Sequence, residues 1–226
     1  MVNEEHMEPI QKKNNSLLLG VTGGIATGKT TVVRMLEELG APVIDFDLLA
    51  REVVEPGKPA WKDIVGYFGK GILLKDGRLD RDKLSGIVFQ DAEKRKTLES
   101  FTHPRIYEAS HRQVKKILEK APNAVIQLDI PLLIEQNLQH MVHKVLVVYI
   151  PREKQIARLI ERDGMSREEA VDRLRAQLPI DEKLGKADFV INNENTLEET
   201  KKQVEDLWQT LNNMQRQLHM KHDKDF

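Results

Sequence analysis

The chain has 226 residues, 40% hydrophobic and 31% charged, with 13 Gly and 9 Pro, a composition that excludes collagen-like and disordered classes and allows an ordinary core. Its 35 basic and 36 acidic side chains leave a net charge of -1, so no polycationic surplus exists to hold a phosphate backbone, and nucleic acid is not an expected partner. Cysteine is absent, which removes disulfides, zinc fingers, iron–sulfur clusters and thiol catalysis together.

Residues 1–15 are polar and aperiodic and are expected to form a leader outside the fold. Five short runs rich in Val, Ile and Leu follow: Leu17–Thr22, Pro42–Phe46, Ala124–Ile130, Lys144–Ile150 and Asp188–Ile191. Most lack clean alternation, as parallel strands buried on both faces do. None approaches the ~20 apolar residues of a membrane span. No signal-peptide core precedes them, so a cytoplasmic location is expected. Helical patterns lie between the runs, and strand–helix alternation predicts a layered α/β domain with a parallel sheet, its ligands beyond the carboxyl ends of the strands.

Between the second and third runs the chain is longer than a crossover requires. Helical patterns are expected around Trp61–Phe68, from Asp80 or Asp82, from Asp91, and in a long segment after Pro104. The excess predicts an inserted substrate-side subdomain. A second stretch, Arg152–Lys186, is dense in arginine around Gly164 and predicts a mobile lid, with a capping box at Ser166-Arg167-Glu168-Glu169. Thr196-Leu197-Glu198-Glu199 starts a final helix, whose stripe of Leu197, Val204, Trp208, Leu211 and Leu218 should pack on the sheet. A polar tail follows from residue 219. No long heptad pattern is present, which leaves a monomer or weak homo-oligomer as the expectation.

The strongest signal is Gly23-Gly24-Ile25-Ala26-Thr27-Gly28-Lys29-Thr30, a full Gly-x-x-x-x-Gly-Lys-[Ser/Thr] pattern directly after a predicted strand and before a predicted helix. Glycine lets the backbone wrap an anion with no Cβ in the way, and the following helix N-terminus adds positive potential. Lys29 is placed for the β- and γ-phosphates, and the Thr30 hydroxyl for Mg2+. A nucleoside triphosphate is therefore the expected ligand. A guanine-specific Asn-Lys-x-Asp segment does not occur, and Asp63-Ile64-Val65-Gly66 follows a helical pattern instead of ending a strand, so a GTPase is disfavoured. The chain's own arginine-rich stretch favours a small-molecule kinase.

Phosphoryl transfer also needs carboxylates at strand ends. Asp45 and Asp47 close the second run, on one face if the strand persists, and Asp47 also reads as a helix N-cap, a place that would still sit at the active edge. Asp129 ends the third run before Pro131, either as the carboxylate that meets Mg2+ or as a strand-end turn residue.

These pieces, with Val43-Ile44-Asp45-Phe46-Asp47, Ala50-Arg51-Glu52-Val53-Val54, His103-Pro104, Ile130-Pro131-Leu132-Leu133-Ile134-Glu135 and Asp188 through Asn193, resemble the dephospho-coenzyme A kinases, in the nucleoside-monophosphate-kinase-like group of P-loop proteins. The resemblance spans nearly everything from Leu18 to Trp208. It implies ATP-dependent phosphorylation of the ribose 3′-hydroxyl of dephospho-coenzyme A, the last step of coenzyme A synthesis. It also implies a three-layer P-loop kinase: a core at 16–54, 121–151 and 187–218 around a five-stranded parallel sheet, a helical substrate subdomain at 55–120 and a helical lid at 152–186. By the same resemblance Asp47 is the base and Asp45 its support on the substrate side. His103 and Arg105 are substrate-side positions, with packing an equal reading for His103. Arg158, Arg162 and Arg173 neutralise transferring phosphate, Thr31 extends the cradle, and Asn193 borders the ATP base. Two positions depart from the family's habit: Ala26-Thr27 stand for Gly-Ser, and Phe46 for Ala between the two aspartates. The ring at Phe46 either packs on the core or borders the acceptor.

Overall fold

The computed structural model describes residues 16–222, with side chains through Met220. The predicted leader and the end of the predicted tail lie outside the described residues. In chain order the elements are β1 (Leu18–Gly23), α1 (Lys29–Glu38), β2 (Val43–Asp45), α2 (Phe46–Glu52), α3 (Pro59–Phe68), α4 (Arg81–Gln90), α5 (Ala92–Lys120), β3 (Ile126–Asp129), β4 (Lys144–Tyr149), α6 (Arg152–Asp163), α7 (Arg167–Arg175), α8 (Ile180–Leu184), β5 (Phe189–Asn192) and α9 (Leu197–His222). The strands form one sheet in the order β2-β3-β1-β4-β5. Each falls inside, or one residue past, a run picked out by composition alone.

The chain divides into two compact units, Asp45–Lys115 and, among the described residues, 16–44 with 116–222. In the larger unit β1 pairs in parallel with β3, Val21 opposite Asp129, and with β4, Gly23 opposite Val148. All six residues of β1 are buried, which is why its sequence is a continuous apolar run with no period of two. Gly20 is required there by packing: a Cβ would sit 2.8 Å from Leu133 Cδ2 and 3.0 Å from Val142 Cγ2. The core joins Leu19, Val21, Val32, Leu36, Leu146 and Val148 to Val204, Leu207 and Leu211 of α9, each contributing about 1.5–3 kcal/mol on full burial. Leu197, placed in the predicted stripe, is instead 58% exposed, because α9 begins there and its first turn precedes the buried face. The helix continues to His222 and does not stop at Leu218. On β3 the buried Gln127 carboxamide donates to Val33 O at 3.1 Å and Ala41 O at 2.9 Å, tying the end of α1 to the sheet.

The smaller unit has its own core of Ile64, Ile72, Leu79 and Leu84, flanked by Trp61, Phe68, Leu98 and Phe101. Trp61 Nε1 donates to Gly77 O at 3.0 Å. Asp63 to Gly66 lie inside α3, as expected of a segment that is no nucleotide-binding strand end. Asp80 caps α4 by accepting from Lys83 N at 3.0 Å. The segments expected separately from Asp91 and after Pro104 are one helix: α5 runs unbroken from Ala92 to Lys120 with Pro104 inside it. Proline removes one hydrogen bond and crowds the preceding turn, but the long helical flanks on both sides outweigh that local penalty. Pro104 therefore does not start a helix.

Candidate active site

The phosphate loop grows out of the tip of β1, and its backbone conformation explains its residues. Gly28 has φ 85 and is the N-cap of α1, a left-handed conformation that costs other residues roughly 1–2 kcal/mol. Ala26 adopts φ 61 without being glycine, so it is held there by its surroundings. Those surroundings are side chains that take the loop's carbonyls one after another. Lys183 Nζ donates to Gly23 O at 3.2 Å, Thr27 Oγ1 to Gly24 O at 2.9 Å, Gln155 Nε2 to Ile25 O at 2.7 Å, and Asn193 Nδ2 to Thr27 O at 2.8 Å. Arg158 reaches Ala26 O at 3.5 Å. In a trans peptide the C=O and the following N–H point opposite ways, so each carbonyl fixed by a donor also fixes the direction of the amide sharing its peptide plane. Such a run of oriented amides is an anion cradle. The Ile25 N–H is taken by a side chain, Gln177 Oε1 at 3.1 Å.

Asn193 is held in turn by Thr200, whose Oγ1 donates to its Oδ1 at 2.8 Å, and its own backbone oxygen accepts from Arg158 at 2.8 Å. Asn193 thus buttresses the loop through Thr27. A Cβ at Gly28 would overlap Asn193 Nδ2. Gly28→Ala is accordingly expected to incur both the left-handed penalty and the loss of the Asn193–Thr27 bond. ADP affinity should fall at least tenfold and the melting midpoint by several degrees, read by calorimetric titration and thermal unfolding.

Lys29 opens α1 and its Nζ donates to Asp129 Oδ1, the side chains being 18% and 11% exposed. Two of the expected site residues are thus brought into contact, one at the start of α1 and the other at the end of β3. Thr30 and Thr31 are exposed on the first turn of α1. The arginines of 152–186 divide. Arg158 rests on the phosphate loop, whereas Arg162 forks onto Asp163 at 2.8 and 2.9 Å and Arg173 reaches the same carboxylate at 2.8 Å. The Arg162 hydrogen bonds, with Arg173 adding charge, hold the Asp163 carboxyl below the usual aspartate value. The capping box at Ser166 and Glu169 is present as expected.

In the smaller unit β2 ends at Asp45, so Asp45 and Asp47 do not share a strand face. Asp45 is the helix cap, accepting from Asp47 N at 2.8 Å and Leu48 N at 3.0 Å. Asp47 is not the cap and lies in the first turn of α2 with an exposed side chain. Phe46 is buried at 7% exposure. Arg105 is engaged within the unit, with Asp63 Oδ2 at 2.6 Å and Phe101 O at 2.5 Å. His103 is half-buried on α5, its ring centre 6.1 Å from that of Tyr107. Burial pushes its imidazole below the ordinary histidine value against the opposing charge of Glu99.

Lys183, Gln155, Gln177 and Thr200 were not singled out from sequence. Gln155, Gln177 and Lys183 lie 130 or more residues along the chain from the loop they hold, Thr200 acts through Asn193 seven residues before it, and among many charged and polar neighbours nothing local marks them.

Comparison with known proteins agrees with this geometry. The family model described as dephospho-CoA kinase matches residues 17–199. This chain belongs to the dephospho-CoA kinase family. A Bacillus cereus dephospho-CoA kinase is 48% identical over 84% of this chain and 94% of its own length. Among solved structures, a Thermus thermophilus protein superposes with a TM-score of 0.72 at 34% identity, covering 87% of this chain and 98% of that one. The Campylobacter jejuni dephospho-CoA kinase gives 0.63 at 34% identity, covering 88% and 98%. The chain is thus a P-loop kinase of the α/β class, a transferase. Among the described residues no helix is long and apolar enough to cross a membrane.

Proposed function

We propose that this chain transfers the γ-phosphoryl group of ATP to the ribose 3′-hydroxyl of dephospho-coenzyme A, releasing coenzyme A and ADP as the last step of coenzyme A synthesis. The observation that carries this reading is the phosphate loop with its carbonyls pinned by the buried side chains of Lys183, Gln155 and Asn193, in a chain of this family. The loop from Gly23 to Thr31, through amides other than the engaged ones of Ile25, Thr27 and Thr31, and the Lys29 ammonium bind the polyphosphate, and Asn193 borders the adenine. Residues 55–120 serve the acceptor, with Asp45, His103 and Arg105 on that side, and residues 152–186 act as a lid. Asp47 takes the proton of the attacking hydroxyl as the oxygen–phosphorus bond forms and the bond to the β-phosphate oxygen breaks. Arg158, Arg162 and Arg173 offset the charge on the phosphoryl group in flight. For Arg162 and Arg173 this means exchanging Asp163 for phosphate.

Among the described residues no group of three or more acidic, His or Cys side chains is gathered to hold a metal ion. The Thr30 hydroxyl and the Asp129 carboxylate are hard oxygen donors, the set that suits Mg2+ when substrate phosphates and waters complete its shell. Held by Thr30 and Asp129, Mg2+ would supply positive charge to offset the phosphates. The enzyme acts in the cytoplasm as a monomer or weak homo-oligomer.

Coupled ADP release measured across dephospho-coenzyme A, adenosine monophosphate, cytidine monophosphate and gluconate tests the reading. Dephospho-coenzyme A is expected to stimulate release at least a hundredfold over water and over the other three. A preference for another alcohol reassigns the acceptor, and no stimulation by any of them makes the chain a nucleotide-binding factor with slow hydrolysis.

A further inference from the structure

Among the described residues Lys183 is the largest fully buried side chain, with 0% exposure. An ammonium in such a place needs partners, and it has two: Gly23 O at 3.2 Å and Glu135 Oε1 at 2.7 Å. Glu135 sits in the turn after β3, with both carboxylate oxygens buried and no hydrogen-bond donor aligned with either. The pair is held by charge and not by good hydrogen-bond geometry. As a stability device that is a poor choice, since a well-packed apolar pair of similar volume is often as stabilising as a buried ion pair or more so. What an apolar pair cannot supply is a donor for Gly23 O.

That carbonyl stands where β1 turns into the phosphate loop. It shares a planar trans peptide with the Gly24 N–H, so a donor that fixes the carbonyl fixes the amide in the opposite direction. The turn is tight at this point: a Cβ at Gly23 would lie 2.7 Å from Thr27 Oγ1 and 2.9 Å from Val148 O. Glu135 holds Lys183 in place and neutralises it, so that its proton points at the loop.

We propose that the Lys183–Glu135 pair is a positioning device for the phosphate loop, setting the first peptide plane of the cradle and through it the affinity for the nucleotide's phosphates. Lys183 acts through the backbone and touches no substrate. The inference rests on the kinase reading above, but its deciding measurement, ADP titration, needs no acceptor.

Lys183→Met and the double variant Glu135→Gln with Lys183→Met are compared with the unaltered protein by ADP titration and thermal unfolding. Lys183→Met is expected to lower the melting midpoint and to weaken ADP binding at least tenfold. The double variant, freed of the unpaired buried carboxylate, is expected to recover the midpoint while ADP affinity stays at least tenfold down. In turnover its KM for ATP should rise by the same factor, with the KM for dephospho-coenzyme A within twofold. If the double variant regains full ADP affinity together with the midpoint, the pair only fills space and balances charge, and the proposal is wrong. ADP binding within twofold of the unaltered protein in Lys183→Met would overturn it equally. Should that single variant fail to fold, the double variant carries the same comparison. An unaltered protein that binds ADP but phosphorylates a different acceptor would overturn the proposed reaction and leave this inference standing.

Discussion

Asp47→Asn is expected to lower turnover with dephospho-coenzyme A by about 10² to 10⁴, the usual contribution of a general base, while ATP affinity stays within a few-fold. The structure makes this a clean experiment because the capping duty in α2 belongs to Asp45, whose carboxylate accepts from Asp47 N and Leu48 N at 2.8 and 3.0 Å. Asn at position 47 leaves both bonds in place. It forfeits only a negative charge in the first helical turn, worth about 0.3–1 kcal/mol. A collapse of turnover therefore cannot be blamed on a frayed helix. Asp45→Ala supplies the contrast: it removes the cap at a cost of about 0.5–2 kcal/mol and should shift the melting midpoint more than Asp47→Asn does. Single-turnover phosphoryl transfer and ADP titration read the two effects separately. Near-normal turnover in Asp47→Asn would strip the residue of its proposed part in the chemistry.

The same aspartates show how far a sequence can be read. Composition placed the strand between Pro42 and Phe46, but the point where it gives way to helix depends on which carboxylate caps α2, and both candidates have the right chemistry. Spacing by two implied a shared strand face, which vanishes once the strand stops at Asp45. The phosphate loop was legible because everything it needs is local: a strand, glycines at fixed offsets, Lys29 and a helix. Pro104 misled for the opposite reason, since proline is a strong local signal against helix interiors that the length of α5 overrides. Of the residues that pin the loop, Asn193 falls in a recognisable motif but with another role, and the others left no local trace. Gln155, Gln177, Lys183 and Asn193 approach it across sequence separations of 130 or more, and a lysine in a charged helical stretch reads as solvated. Only folding makes Lys183 the most buried of them. The lid arginines fall between these cases: their clustering was visible, their division between the loop and Asp163 was not.

Lys29→Met should abolish measurable phosphoryl transfer and weaken nucleotide binding by at least tenfold, a compound loss with two sources. A hydrogen bond from a charged donor is worth about 1.5–3 kcal/mol, so the ground-state polyphosphate alone loses roughly ten- to a hundredfold in affinity. The charge that develops during transfer loses the same partner, which lowers turnover further. The second source is Asp129, to which Lys29 donates at the adjoining strand end. Without the ammonium its carboxylate repels the phosphates it was balanced to face. Lys29→Met combined with Asp129→Asn separates the two: relieving the repulsion should return part of the ADP affinity and none of the turnover. If Lys29→Met binds ADP as the unaltered protein does, the lysine serves Asp129 alone and the phosphates are held by the amides unaided. If the double variant binds no better than the single, the carboxylate is silent toward the nucleotide and its role lies with the metal ion.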